Sequence, residues 1–160
     1  TFTSVSAPIQ HAAVEAYGEH PDIQRYLLDS RAILQALCLR LRHVFHDAGI
    51  FTSDAAGGFY LFLDFEVHRE RLLEAGIGTS RALCHQLLKE TGIAILPGVD
   101  FGRPATELTA RIAYVNFDGD AALKALAEEG NTPDDAFLKR YCAETLEASR
   151  VLAGWLGSPG

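Results

Sequence analysis

The sequence contains no methionine and only three cysteines in its 160 residues. Cys38, Cys84 and Cys142 lie far apart, are odd in number and never show CxxC spacing. That pattern argues against a disulfide framework or a cysteine-rich zinc site and reads as free thiols in a reducing cytoplasm. Neither Cys84 nor Cys142 is expected to be a catalytic thiol. No apolar run approaches the roughly 20 residues of a membrane span, and no signal peptide opens the chain. Lysine and arginine form no cluster, and net charge is −7, so neither a membrane nor nucleic acid is an expected partner. The GxGxxG, Walker and GxSxG patterns are all missing, which leaves dinucleotide, nucleotide and esterase chemistry without their usual loops.

What is present is an ordinary soluble composition, 48% apolar and 22% charged, in a chain long enough to bury a core. Residues 7–18 read as a short helix with Ser6 at its N-cap and Pro8 in the first turn. From 22 to 48 the apolar residues Ile23, Leu27, Leu34, Leu37, Leu41, Val44 and Phe45 recur at spacings of mainly three, four and seven. This predicts a long amphipathic helix of roughly 40 Å, capped by Gly49. Strands are expected at about 58–65, 93–96 and 109–116, and helices at 80–91 and after Asp118 up to Gly130. Thr132-Pro133-Asp134-Asp135 reads as the start of a last helix running to Trp155. The pattern implies an α/β fold of two layers, with a small, mostly antiparallel sheet and helices on one face.

One residue stands out. Arg111 sits among apolar neighbours on the strand Arg111-Ile112-Ala113-Tyr114-Val115, after a loop bearing Pro97, Gly98, Asp100 and Gly102. A guanidinium in such a place requires an anion, because an unpaired buried charge costs several kcal/mol or more. Asp118 or Glu107 is a local candidate for that anion, and a ligand is the other.

These segments carry a family resemblance. Leu87-Leu88-Lys89-Glu90-Thr91-Gly92, Leu96-Pro97-Gly98, Phe101-Gly102 and Arg111-Ile112-Ala113-Tyr114 resemble the C-terminal part of class I/II aminotransferases, pyridoxal-phosphate enzymes of fold type I. Gly57-Gly58-Phe59-Tyr60-Leu61-Phe62 is similar to the preceding strand of that family, and 3–10 to the segment shortly after its cofactor lysine. The match runs in order from the first residue to about 128. The resemblance implies the family's small domain over 21–160, with helix 22–48 linking two domains, and a remnant of the large cofactor-binding domain over 1–20. It implies that Arg111 holds the α-carboxylate of an amino-acid or 2-oxo-acid substrate, since an arginine fork donates two parallel bonds and stays charged. It places Tyr60 near the substrate, where a core aromatic is the plainer alternative, and Thr3 and Ser4 near the cofactor phosphate.

The family's Schiff-base lysine has no counterpart here. Lys89, Lys124 and Lys139 fall in helix patterns. The chain is therefore expected to be a fragment that binds no pyridoxal phosphate alone, is inactive alone and belongs to a homodimeric cytoplasmic parent. Two further readings stay open: a stand-alone ligand-binding or regulatory α/β domain, and an interaction module docking through helix 22–48. Lyase or synthase chemistry of fold-type I relatives is a third. His43, His46 and Asp47 show partial metal-ligand spacing, but a solvated helix face explains them better.

Overall fold

The structure, a computed structural model, describes residues 5–130 and 132–157. It opens with two helices, α1 (Ala7–Ala16) and α2 (Pro21–Asp47). Strands β1 (Phe51–Thr52) and β2 (Tyr60–Asp64) follow, then the short α3 (Arg69–Glu74) and α4 (Ser80–Thr91). After β3 (Leu96–Pro97), a 3-10 turn at Gly98–Phe101 leads to β4 (Thr109–Ala113). Helices α5 (Gly119–Glu129), α6 (Asp135–Tyr141) and α7 (Ala143–Gly157) complete it.

The long helix forms where its apolar periodicity predicts. Ile33, Leu37, Cys38, Leu41 and Phe45 recur on one face and are all buried. Each such aliphatic or aromatic side chain contributes roughly 1.5–3 kcal/mol by leaving water. The helix stops at Ala48, and Gly49 takes a left-handed φ of 72° just beyond it. Ile50 then donates its N–H back to the Phe45 carbonyl at 2.8 Å. The first half of the helix is different. No residue before Ile33 is buried on it, and none at all on α1.

The sheet has the order β1-β2-β4-β3, with every neighbouring pair antiparallel. Its two central strands pair Leu61 with Ile112 and Leu63 with Ala110. Those four side chains are buried against α2, α4, α5 and α7 in one continuous core. Because side chains alternate along a strand, Tyr60, Phe62 and Asp64 of β2 and Thr109, Arg111 and Ala113 of β4 point the other way. Among the described residues that second face is only partly covered, so Tyr60 is exposed there and Phe62 and Arg111 are half-buried. The two-layer arrangement with helices on one face is the one expected.

Several details differ from the expectations. Strand β1 is too short to leave a sequence pattern; the buried Ile50 and the bond from Arg42 Nε to Thr52 Oγ1 (3.2 Å) fix it instead. The helix expected from Thr132 to Trp155 is two helices broken at Cys142. Its N-cap is Asp134, whose carboxylate accepts from the Phe137 N–H at 2.8 Å. Ser6 stands at the N-cap of α1 but makes no capping bond. On helix 22–48, Leu41 lies in the core at 1% exposure, whereas Tyr26 and Leu28 near its start are exposed.

Candidate functional site

The open sheet face gathers the chemistry. The register sets Phe62 directly opposite Arg111 on one side and Leu96 opposite it on the other. Tyr60 pairs with Ala113, one step further along the same face. The fourth component comes from the 3-10 turn, which ends on Phe101 and turns back through Gly102 at a left-handed φ of 80°. The Arg111 guanidinium carbon stands 4.1 Å from the centre of the Tyr60 ring and 4.3 Å from that of Phe101. Phe101 also meets Phe62 edge-on, with ring centres 6.2 Å apart.

Both acids that might have paired with Arg111 are occupied. Glu107 accepts from Arg103 Nε at 2.7 Å, and Asp118 caps α5 by accepting from the Ala121 N–H at 3.0 Å. Among the described residues, Arg111 makes no ion pair. Two aromatic rings partly offset its desolvation, each by about 0.5–1 kcal/mol at such a site. Rings supply no hydrogen-bond acceptor in the guanidinium plane, so the N–H groups remain available for a ligand. A planar two-oxygen anion matches that fork.

The turn carrying Phe101 is fastened to the start of α4. Asp100 pairs with Arg81 at 2.5 Å, and the Val99 N–H donates to Ser80 Oγ at 3.4 Å. The Ser80 N–H in turn donates to the Ala105 carbonyl at 3.0 Å. Thr79 caps α4 by accepting from the Ala82 N–H. On the same sheet face, a groove of about 380 Å³ opens between Phe62, Asp64, Phe101, Arg103 and Thr109, with Arg111 outside its lining.

The structure thus brings Arg111 and Tyr60 together, and Tyr60 is a surface aromatic rather than part of the core. Thr3 and Ser4 lie outside the described residues. Phe101 was not singled out from sequence, although the Phe101-Gly102 pair was visible as a motif; only the register shows that the turn folds back over Arg111. Gly58 accepts the Tyr114 hydroxyl at 3.0 Å and has a φ of 75°. A β-carbon at Gly57 or Gly58 would meet nothing within 4 Å, so conformation rather than close approach accounts for the glycine at 58.

The same residues do not by themselves fit pyridoxal phosphate. Lys89, Lys124 and Lys139 are exposed on α4, α5 and α6, and Lys124 is held by Asp120 at 2.6 Å. The described residues offer no lysine beside Arg111 to capture the cofactor's aldehyde. Among them no three metal-ligating side chains converge, and no helix is long and apolar enough to cross a membrane. Burial pushes the Cys84 thiol up to about 12 and the Cys142 thiol up to about 11, leaving neither as a ready thiolate.

Comparison with known proteins bears on the family. The family model described as aminotransferase class I and II matches residues 1–127. Alanine aminotransferase 1 of Bos taurus is 31% identical over 90 residues, covering 52% of this chain and 18% of that relative. No solved structure matches significantly.

Proposed function

Because the chain belongs to the class I and II aminotransferase family, we propose that it is the C-terminal, substrate-clamping part of a pyridoxal-phosphate aminotransferase. The parent exchanges an amino group between an amino acid and a 2-oxo acid. In this reading residues 21–160 are the small domain, α2 is the interdomain helix, and 1–20 belong with the large domain. The lack of any buried residue on α1 and before Ile33 on α2 supports that division. The cofactor, its lysine and the pocket floor belong to the rest of the parent, which acts as a cytoplasmic homodimer. Thr3 and Ser4 would lie beside the cofactor phosphate.

The observation that carries the proposal is Arg111, a half-buried guanidinium on the open sheet face with two rings against it and no ion pair among the described residues. Its role is to take the substrate carboxylate as a bidentate pair and so fix the α-carbon relative to the reacting centre. Tyr60 walls the same position.

The test uses the longer protein that contains this sequence. Arg111→Lys should keep the cofactor's visible absorption and lower kcat/KM for the amino donor by about tenfold or more, as expected for losing a charged, two-pronged contact. Unchanged kinetics would remove Arg111 from the site. The 160-residue chain alone, mixed with pyridoxal phosphate, should leave the cofactor spectrum unaltered and show no amino transfer. Because lyases and synthases of fold type I use the same clamp, the assay must identify the product, not only substrate loss.

A further inference from the structure

We propose that Phe101 is a positioning residue which, with Tyr60, makes a slot that orients Arg111 and selects flat carboxylates over tetrahedral oxyanions. The inference rests on the reading of Arg111 as a carboxylate clamp and adds to it the residue that sets its plane.

The register supplies the argument. Tyr60 pairs with Ala113, on the C-terminal side of Arg111 along β4. Phe101 reaches the same guanidinium from the 3-10 turn, and it lines a groove together with Thr109, two residues before Arg111. Rings at 4.1 and 4.3 Å thus both stand against the one guanidinium, and in this proposal they close on it from its two sides. A flexible arginine stem would otherwise sample many rotamers, and holding it costs side-chain entropy. Here the cost is met by the fold before any ligand arrives, because the turn bearing Phe101 is tied to α4 through the Arg81–Asp100 pair. With its flanks occupied, the guanidinium offers its N–H edge. A ligand entering between the rings must lie near the guanidinium plane. A carboxylate does so with both oxygens. A sulfonate or phosphonate of the same charge carries a third oxygen out of that plane, toward a ring face whose quadrupole is negative.

The experiment follows the Arg111 Nε–Hε resonance of the 160-residue chain by NMR during titration with acetate and with methanesulfonate, two monoanions that differ in planarity and in basicity, so that the change in preference between variants is what reads the slot. The wild-type chain should respond to acetate and bind methanesulfonate more weakly. Phe101→Leu keeps an apolar contact to Phe62 but removes the ring face. It should weaken the acetate response by about threefold, abolish most of the preference for acetate, and move the Arg111 side-chain protons away from their ring-shifted positions. Phe101→Tyr should restore all three. If acetate moves Arg111 equally in wild type and Phe101→Leu, with the same preference, the slot is overturned while the clamp stands. If acetate fails to move wild-type Arg111 at all, the clamp reading itself is lost, and the slot with it.

Discussion

At Gly98 a β-carbon would stand 2.0 Å from the Thr109 hydroxyl oxygen and 3.1 Å from its β-carbon. Thr109 is buried, and its hydroxyl has no hydrogen-bond partner among the described residues, so the site has little room to adjust. Gly98→Ala should therefore destabilise the chain by about 1–3 kcal/mol, the usual cost of overpacking. Thr109→Ala should recover part of that loss when combined with it, and urea denaturation of the two single variants and the double variant measures the coupling. An additive double variant would mean the two sites do not touch. The buried thiols give a second residue-scale prediction. Burial raises Cys84 to about 12 and Cys142 to about 11 from an ordinary value of 9.0, and burial pushes the Tyr114 phenol upward as well, helped by Cys38. A thiol with a raised folded pKa holds its proton where the unfolded chain has lost it. Its contribution is complete below pH 9 and is lost as pH rises through the folded values. The denaturation midpoint should accordingly hold steady up to about pH 8 and fall between pH 9 and 11. A midpoint that rises over that interval would contradict the sign. Thiol reagents at pH 8 should report cysteine only as fast as the chain opens.

Among the elements, the helix N-termini separate what local chemistry decides from what packing decides. Asp134, not Thr132, accepts the Phe137 N–H. Asp134→Ala should lower stability by about 1 kcal/mol, and Thr132→Ala should stay within about 0.5 kcal/mol. The reverse order in thermal melts would return the cap to Thr132. The sequence was misleading here because Thr-Pro-Asp-Asp offers two acceptable caps, and only the backbone path chooses between them. The break at Cys142 was hidden for a related reason: no glycine or proline marks it. Cys142 itself is fully buried, and Phe137 and Leu138 before it and Leu146, Leu152 and Leu156 after it all reach the core. Two shorter helices place all of these inward. By contrast, α2, α4 and α5 were legible because their signals are local. Thr79 and Asp118 cap α4 and α5, and Gly92 and Gly130 end them with φ of 75° and 64°. At the site, Arg111 was visible as a cation in an apolar run and Tyr60 through its motif. Phe101 was not, since a contact set by strand register and a folded-back turn leaves no periodicity.

For the whole molecule, the two uncovered surfaces decide how it behaves in solution. Val5, Ile9, Val14 and Tyr17 project from the lead-in and α1, and Tyr26 and Leu28 from the start of α2, with Tyr17 reaching 91% exposure. The open sheet face adds Phe51, Tyr60, Leu96 and Phe101. Single exposed apolar residues are ordinary, but a run of this kind along one helical arm is the mark of a surface meant to be covered. In isolation a second copy of the chain is the available cover. We expect association that grows with concentration, through the helical arm in preference to the sheet. Among the described residues α1 buries none of its side chains, so the arm can pack on another arm without disturbing the core. A net charge of −7 on each copy opposes the encounter, so added salt should strengthen association by screening that repulsion. Val14→Glu together with Tyr17→Ser should abolish it while leaving the melting temperature of the core unchanged, because α1 buries nothing there. Light scattering across a wide concentration range reads the outcome. A monomer at every concentration and salt level would show that the arm does not drive association. Association that survives the paired substitution but disappears in Phe101→Leu would move the contact to the sheet face.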